Sequence, residues 1–535
     1  MTRVHELLIR GGRIIDGTGD PSIETDVVIS DGVIAAVGRI GAETVAHVTI
    51  DATGLVVCPG FIDMHAHSDL AVITEPEHLA KVSQGVTTEV IGQDGLGYAP
   101  VDHTVLADLR VRLRGWNGEP RSVGWEWRSV SDYLDVLDGS AVNVAYLVPH
   151  GTLRLLVMGA AARPPTHGEM EGMKDLVGLA MTEGAFGLST GLTYAPAMHA
   201  ADDELGALCG VVAHAGGYYA PHHRNYGSHA LEGYADCIAL GEQTGVAVHL
   251  THAHLGFEVN RGRADDLLSM VDEARRRGVD VTLDSYPYLA GATYVHSLLP
   301  GWAQEGDVDV IIDRLTDGSV RDRLRSELER GTPGSQGIPI DWSSVVVSGV
   351  SEAGNEPIVG LSIEAISKER REDPVDVYVD LLISDRLGAS CLMHIGNEEN
   401  VRAIMQHPFH MAGSDGLLVG QRPHPRAYGT FPRYLGHYSR DLQVVPLEEM
   451  VRKMTSLPAR RLGLGDRGVI REGLAADVVC FDPVEVRDTA TYDDPRRLPE
   501  GIPHVIVNGR QVIADGKHTG QLPGRALRRS SGGAK

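Results

Sequence analysis

The sequence has few cysteines and no apolar run long enough to suggest a membrane span. Its five cysteines lie far apart and form no C-x-x-C pair, which excludes the usual zinc-knuckle and dithiol redox patterns. We interpret them as buried apolar residues of a protein in a reducing compartment. The start, MTRVHELLIRGGRIIDGTG, lacks the uninterrupted apolar core of a secretory signal, so we expect a cytoplasmic protein.

Positive charge is also scarce, because 48 Lys and Arg stand against 72 Asp and Glu, for a formal net charge of -24. A nucleic-acid surface needs clustered basic residues, so we expect neither nucleic acid nor a membrane as a partner. The 42% hydrophobic content, the 64 glycines and the mean hydropathy of -0.09 are typical of a folded α/β protein. At 535 residues we expect one large catalytic domain with a smaller companion, and the oligomeric state is unknown.

Both ends of the chain have the pattern of short β-strands. In the segment 1–60, apolar and polar positions alternate between turn signals, as in ELLIRGGRIIDG and DVVISDGVIAAVG. Similar segments, AADVVCFDP and HVIVNGRQVIADG, return over 465–520. We therefore predict short antiparallel strands from both ends that build one small β-sandwich domain, followed by a flexible tail over 521–535.

The central segment, 61–464, alternates apolar strands with amphipathic helices, which predicts a parallel sheet. Eight strand candidates can be placed: LVVCPGFID, VTTEVIG, NVAYLVP, AFGLST, YYAPH, VAVHLT, VDVTLD and HMAGSD. The predicted fold class is therefore α/β, with a distorted (β/α)8 barrel. The gap from Asp284 to His410 is too long for one connection, so we expect an insertion over about 290–342 near the barrel mouth.

Histidines and aspartates recur where the predicted strands end. In CPGFIDMHAHSDL an apolar strand leads to His65 and His67, and residues two apart in a strand project to the same side, where they can bind one metal ion. Other strand candidates end in polar groups of the same kinds: Asp94, His222, His223, His252, His254 and Asp415. The carboxyl ends of barrel strands form the active site, and imidazole with carboxylate is a typical ligand set for hydrolytic zinc.

These residues predict a metal-dependent hydrolase. A bound metal supplies hydroxide at neutral pH, and Asp415 is our candidate for moving the proton from the attacking water to the departing amine. The alternative interpretation of Asp415 is that it caps the N-terminus of a helix, and one residue can fill both roles. The sequence contains no G-x-S-x-G elbow, P-loop or dinucleotide fingerprint, which disfavours serine-nucleophile and nucleotide-dependent chemistry.

At these residues the sequence resembles the D-aminoacylase (N-acyl-D-amino-acid deacylase) family of the amidohydrolase superfamily. The resemblance runs from about Leu7 to about Gly516 and includes eight ordered motifs: PGFIDMHAHSD, QGVTTEVIGQDG, GLSTGLTYAP, HHRNYG, HLTHAH, DSYPYLAG, HPFHMAGSDG and HPRAYGTFPRYLGHYSRD. It implies a small-molecule substrate, an N-acyl-D-amino acid, which is hydrolysed to a carboxylate and a free D-amino acid.

The resemblance also implies roles for individual residues. Asp94, His222 and His252 would hold the main zinc ion, and His65, His67 and Asp415 would form a second, often weaker, metal position. Tyr194 would polarise the scissile carbonyl. Arg426 would receive the α-carboxylate of the substrate, for which its planar fork is suited. Two further residues are implied at the substrate: His254 and Tyr286.

Two departures from the family pattern affect these implications. Typical members have a cysteine at Asp94, so the site here is all nitrogen and oxygen, a harder set that also suits manganese or cobalt. Typical members have a lysine at His254, where it assists carboxylate binding. The departure at His254 means that the family resemblance predicts substrate recognition less closely than it predicts metal binding.

Other hydrolases on the same scaffold remain alternatives, acting on a cyclic amide such as a hydantoin or dihydroorotate, or on a dipeptide. None of the predicted strand ends carries the lysine that bridges two metals in many cyclic-amide hydrolases. Deaminases share H-x-H and the late aspartate, but PHPRAYG favours the deacylase group. A noncatalytic metal-binding protein is disfavoured because the candidate ligands and Asp415 are all present.

Overall fold

The computed structural model describes residues 4–331 and 336–529, and its strands form three sheets. The strands are β1 (Val4–Ile14), β2 (Ile23–Ser30), β3 (Val33–Gly38), β4 (Val45–Asp51), β5 (Val56–Pro59), β6 (Phe61–Asp63), β7 (Val86–Ile91), β8 (Asn143–Pro149), β9 (Gly187–Gly191), β10 (Tyr218–His222), β11 (Ala247–Leu250), β12 (Val281–Ser285), β13 (Ala290–Tyr294), β14 (Val345–Gly349), β15 (Ser390–His394), β16 (His410–Ala412), β17 (Val478–Phe481), β18 (His504–Val507), β19 (Arg510–Ala514) and β20 (Lys517–His518).

The α-helices lie mainly between the strands of the central segment. They are α1 (Ala71–Thr74), α2 (Leu79–Val82), α3 (His103–Arg112), α4 (Arg114–Asn117), α5 (Val130–Val136), α6 (His150–Met158), α7 (His167–Glu183), α8 (Asp202–His214), α9 (Ala230–Thr244), α10 (Ala264–Arg276), α11 (Val308–Leu315), α12 (Gly318–Leu328), α13 (Ile363–Arg370), α14 (Pro374–Ser384), α15 (Glu398–Gln406), α16 (Arg426–Arg433), α17 (Leu447–Met454) and α18 (Ser456–Leu462). Short 3-10 segments lie at Ala197–His199, Glu258–Asn260, Val295–Leu298, Gly301–Ala303 and Ala353–Ile358, and a π-helix at Tyr434–Asp441. Among the helices of the described residues, none is both long and apolar enough to cross a membrane.

The central sheet is a parallel barrel of eight strands in the order β16-β12-β11-β10-β9-β8-β7-β6. Its seam closes where the Met64 amide donates to the Ala412 carbonyl at 3.2 Å and Ala66 forms a parallel bridge with Gly416. Seven of these strands are buried along their whole length, and in β11 only Ala247 is partly exposed, as expected when helices cover the outside of a parallel sheet. The predicted barrel is confirmed.

The first barrel candidate, LVVCPGFID, contributes to two sheets rather than one. β5 pairs with β17 in the small sheet, and β6 pairs with β7 in the barrel. Gly60 separates them and lies so close to β7 that a Cβ there would be 2.1 Å from Thr87 Oγ1. The change of sheet therefore depends on a residue without a side chain.

The two chain ends build one nine-stranded sheet, as the sequence predicted. They meet where Cys58 of β5 pairs with Val479 of β17. The expectation of purely antiparallel pairing is wrong, because β1 pairs in parallel with both β4 and β5. The predicted flexible tail over 521–535 is wrong for 521–529, where the amides of Gly524 and Leu527 donate to backbone carbonyls of Ser140 and Val144 at 2.7 Å. Residues 530–535 lie outside the described residues.

A separate unit is inserted between β12 and β16. β13 and β14 both pair with β15 in an antiparallel sheet, and helices α11 to α14 cover it with an apolar core of its own. The insertion therefore continues past the predicted end at Trp342 to His394. Because β13 begins at Ala290, five residues after β12 ends, this unit lies at the carboxyl end of the barrel.

Candidate metal centre and substrate cleft

One group of potential metal ligands lies at the barrel seam. His67 Nε2 is 3.2 Å from His65 Nε2 and 3.0 Å from Asp415 Oδ1, and both imidazoles are 3.5 Å from the Asp94 carboxylate. All four side chains are buried. His65 and His67 follow β6, which ends at Asp63, so the strand leads into the H-x-H pair instead of containing it.

A second group shares Asp94 with the first. His222 Nδ1 is 2.9 Å from His252 Nε2, and these atoms lie 3.6 Å and 3.4 Å from the two oxygens of Asp94. In each group the ligand atoms all lie within 4.8 Å of one another. The structure thus brings together all six residues for which the sequence predicted metal binding, with one carboxylate between the two groups.

The donor chemistry of these groups fits divalent metal ions. Asp94 Oδ1 is buried and has no hydrogen-bond partner among the described residues. Burial alone would raise the pKa of Asp94, but the surrounding imidazoles lower it by more, so the pKa lies well below its usual range. An ionised carboxylate oxygen without a donor, faced by imidazole nitrogens, is costly unless a cation satisfies it.

Two neighbouring hydroxyls orient the second group. Thr193 Oγ1 lies 2.7 Å from His222 Nε2, so a metal on Nδ1 leaves Nε2–H to donate to this hydroxyl. Tyr226 Oη lies 3.4 Å from His252 Nδ1. Sequence reasoning missed both partners, although they stand in the motifs GLSTGLTYAP and HHRNYG.

A buried ionic network supports the first group from inside the barrel. Lys81 Nζ is 2.7 Å from Asp63 Oδ2 and donates to Ser414 Oγ at 2.7 Å, while Asp63 Oδ1 accepts from the Ser414 amide at 2.8 Å. Asp63 Oδ1 also accepts from the His65 amide at 3.2 Å. The network therefore ties the segment that carries His65 to the segment that carries Asp415.

Arg426 lies beside Asp415 and is wholly buried. Its Nη1 is 3.0 Å from Asp415 Oδ2, and its guanidinium lies over the Tyr286 ring at 4.2 Å. This is a close charge contact, not a directed hydrogen bond, because Nε, Nη1 and Nη2 have no hydrogen-bond partner among the described residues. Burial alone would raise the pKa of Asp415, but Arg426 and His65 lower it by more. The pKa therefore lies below its usual value, and the carboxylate is ionised at neutral pH.

A cleft with about 810 Å³ of empty space opens onto these groups. Asp94, His222, His252 and Asp415 of the barrel line it, and the inserted unit contributes several further lining residues. The sequence predicted a loop insertion near the barrel mouth, but not that its strands would line the cleft.

The three remaining predicted site residues also line this cleft. Tyr194 packs against the His222 ring at 4.7 Å, and burial holds the pKa of its phenol well above the usual value, so the hydroxyl keeps its proton. His254 stacks on Tyr286 at 4.2 Å and its Nε2 lies 3.2 Å from the Tyr286 carbonyl oxygen. Burial lowers the pKa of His254 to about 4, so this side chain is neutral at the position where the family resemblance implies a lysine.

One histidine of the predicted strand ends lies away from the metal groups. His223 is enclosed by the rings of Tyr226 and Tyr234, at 4.0 Å and 4.1 Å. His222 is the last residue of β10 and His223 follows it, and only His222 lies with the metal groups.

Comparison with known proteins identifies a family model that spans most of the chain. The amidohydrolase family model matches residues 48–513. D-aminoacylase of Alcaligenes xylosoxydans xylosoxydans is 35% identical over 98% of both chains. From the same organism, an N-acyl-D-glutamate deacylase is 35% identical over 98% of this chain and 97% of its own, and an N-acyl-D-aspartate deacylase is 34% identical over 98% and 95%.

Solved structures with the same architecture include both deacylases and hydantoinases. The N-acyl-D-glutamate deacylase of Bordetella bronchiseptica, complexed with zinc and a phosphonate inhibitor, is 33% identical over 98% of this chain and 100% of its own, with a TM-score of 0.83. A D-aminoacylase with a binuclear metal centre is 35% identical over the same shares, also with a TM-score of 0.83. A D-hydantoinase is 16% identical over 98% and 99%, with a TM-score of 0.51, which shows a shared fold alone.

Proposed function

The chain belongs to the amidohydrolase family and, within it, to the D-aminoacylase group, and on this premise we propose that it hydrolyses N-acyl-D-amino acids. The products are a carboxylate and a free D-amino acid. The observation that carries this proposal is the buried guanidinium of Arg426, which lies directly behind Asp415 and Tyr286, two residues that line the cleft. A buried arginine whose donors lack partners is costly, and an anionic group of the substrate would satisfy it.

Arg426 is assigned to the α-carboxylate of the substrate. Asp415 and Tyr286 both line the cleft, so a carboxylate reaches the guanidinium where these two residues meet. The planar fork of arginine pairs with a carboxylate through two parallel hydrogen bonds. The scissile amide, one carbon away from that carboxylate, then lies over the metal groups.

We assign zinc to the two ligand groups, with one ion held tightly by Asp94, His222 and His252 and a weaker position at His65, His67 and Asp415. This assignment is supported by the nitrogen and oxygen donors and by the zinc in the related glutamate deacylase. An ion held there activates water as a nucleophile near neutral pH. Manganese and cobalt suit the same donors.

Asp415 and Tyr194 complete the proposed chemistry. Because Asp415 is ionised, its carboxylate accepts the proton of the attacking water and returns it to the nitrogen of the departing amine. Tyr194 keeps its proton and donates a hydrogen bond to the oxygen of the scissile carbonyl. His254 and Tyr286, stacked on each other at 4.2 Å, form the floor under the carboxylate end of the substrate.

The test is release of free amine from paired N-acetyl-D- and N-acetyl-L-amino acids by zinc-supplemented enzyme, with hydantoins, dihydroorotate and dipeptides in the same panel. Turnover of D substrates alone is expected. Silence on every acyl amino acid together with activity on a cyclic amide or a dipeptide would contradict the proposal. Asp415→Asn, which preserves the size of the side chain, should abolish turnover, and Asp313→Asn on the exposed side of α11 is the matched control.

A further inference from the structure

We infer that Asp284 is a positioning residue that joins the two ligand groups, and that a hydrogen-bond relay inside the barrel holds it in place. The relay consists of Arg461, Thr282 and His249. The inference rests on the proposed function, because it concerns the metal centre assigned there. Asp284 itself belongs to neither ligand group and does not line the cleft.

The relay lies on the face of β11 and β12 that points away from the covering helices. Val281 and Leu283 pack outward, in the core that includes residues of α10. Because side chains alternate along a strand, Thr282 and Asp284 point into the barrel, and His249 stands opposite Thr282 in the pairing of β11 with β12. All three polar side chains are buried, so each needs a hydrogen-bond partner.

The hydrogen bonds of the relay run in one direction. Arg461 Nε donates to Thr282 Oγ1 at 2.9 Å. His249 Nε2 lies 2.9 Å from Asp284 Oδ2, and because a carboxylate only accepts, this nitrogen carries the proton. Burial lowers the pKa of His249, so the ring is neutral, and its Nδ1 accepts from the Thr282 hydroxyl at 2.8 Å. The tautomer of His249 and the orientation of the Asp284 carboxylate are therefore fixed together.

Asp284 contacts one member of each ligand group. Its Oδ1 accepts from the backbone amide of His252 at 2.8 Å. Its Oδ2 lies 3.8 Å from Nδ1 of His65, which has no hydrogen-bond partner among the described residues. Since His65 Nε2 faces the other ligands, a metal bound there leaves the proton on Nδ1, next to this carboxylate.

Gly413 permits this close approach. A Cβ at position 413 would lie 2.8 Å from Asp284 Oδ1 and 2.9 Å from His65 Cβ, so any side chain there would push the two residues apart. A carboxylate behind a ligating imidazole orients the ring and strengthens its bond to the metal. Asp284 thus acts on the metal centre through His65 and His252 and not by direct contact with the ion.

The first experiment measures the zinc affinity of Asp284→Asn by competition with a chromophoric chelator. Asparagine keeps the size of the side chain, but in either orientation its NH2 group faces one of two donors, the His252 amide or His249 Nε2. We expect the zinc affinity to fall by about 10–100-fold. At saturating zinc, kcat should fall and KM should change little, because Arg426 is untouched. An unchanged zinc affinity would overturn the inference.

Two variants of Thr282 test the relay at a residue outside both ligand groups, and they decide the question if Asp284→Asn does not fold. Thr282→Val keeps the shape but removes the donor to His249, and we expect the zinc affinity to fall about tenfold. Thr282→Ser keeps the hydroxyl and should bind zinc like the wild type. The matched control is Thr88→Val in β7, whose buried hydroxyl has no hydrogen-bond partner among the described residues. Equal losses in the valine and serine variants of Thr282, or no loss in either, would overturn the inference.

The cobalt-loaded enzyme gives a check that does not depend on turnover. The visible absorption of Co²⁺ reports the arrangement of its ligands, so the spectrum should change in Asp284→Asn and Thr282→Val and stay that of the wild type in Thr88→Val. Identical spectra in all variants would overturn the inference. The expected zinc and cobalt results without hydrolysis of any acyl amino acid would support the inference and count against the proposed function alone, whereas a wild type that binds no zinc would overturn both.

Discussion

Replacing Arg426 by glutamine should selectively abolish the use of substrates that carry an α-carboxylate. Arg426 is the wholly buried cation at the cleft wall, and its three guanidinium nitrogens have no hydrogen-bond partner among the described residues. Glutamine keeps a polar end group but is two bonds shorter, and it removes the charge and the fork. The change therefore addresses the recognition of a carboxylate.

The magnitude follows from the two hydrogen bonds that the fork is expected to make. A hydrogen bond to a charged group contributes about 1.5–3 kcal/mol, so two of them contribute about 3–6 kcal/mol. At 1.4 kcal/mol for each factor of ten, kcat/KM for N-acetyl-D-leucine should fall by about 10²–10⁴-fold. Arg426→Lys should recover only part of this loss, because an ammonium keeps the charge but cannot pair bidentately.

The assay measures both variants on N-acetyl-D-leucine and on N-acetyl-D-leucinamide, which lacks the carboxylate. The amide should be a poor substrate of the wild-type enzyme and should change little in Arg426→Gln. Zinc content, measured in parallel, controls for damage to the nearby Asp415. Equal losses on both substrates would refute the reasoning, since Arg426 would then act through Asp415 and not through the carboxylate.

Three further predictions concern stability, pH and metal. Lys81→Met should lower the free energy of unfolding in urea by about 3–5 kcal/mol, because it leaves the buried Asp63 carboxylate without its cation. A loss no larger than that of the exposed pair variant Lys174→Met would contradict this. Burial lowers the pKa of Lys453 to about 8 in the folded protein, whereas its ordinary value, which applies to the unfolded chain, is 10.5. Between pH 8 and pH 10.5 the unfolded chain therefore binds a proton that the folded protein has lost. The stability of the wild type relative to Lys453→Met should therefore rise as the pH rises from about 8 to 10.5, and a flat or falling difference in denaturation curves would count against it. Removal of metal by a chelator should abolish turnover and lower Tm, and added zinc should restore both, whereas persistent activity in metal-free enzyme would exclude the metal centre.

Much of the fold could be predicted because it depends on local patterns. Each barrel strand is an apolar run that ends in polar residues, as in YYAPH and VAVHLT, and eight of them in sequence favour a closed barrel. The end of the insertion could not be predicted in this way, because it depends on the pairing of Ala290 with His394. Likewise, the polar segment 521–529 has the composition of a tail, and its backbone pairing with the barrel leaves no local signal.

The metal ligands could be predicted for the same reason that the strands could. They are chemically distinctive residues at strand ends, and the topology of a parallel barrel brings those ends together. The part of the cleft that the inserted unit lines could not be predicted, because its lining includes ordinary apolar residues such as Leu298, in a 3-10 segment, and Met393, in β15 of a separate sheet. Their position at the cleft is a property of how the inserted unit lies on the barrel.

The strand pattern also could not predict the direction in which the ligand side chains point. Asp94, His252 and Asp415 lie after the strands that lead to them, and all three have a left-handed backbone, with φ of 57°, 32° and 48°. Such a conformation costs on the order of 1–3 kcal/mol for a residue other than glycine, and it turns the side chain away from the course of the strand. The strands thus bring the ligand segments to one edge, and the strained turns after them aim the carboxylates and imidazole inward. Because the aim is set in these turns, an aspartate can stand at position 94, where the family resemblance implies a cysteine, while the barrel below it keeps its form.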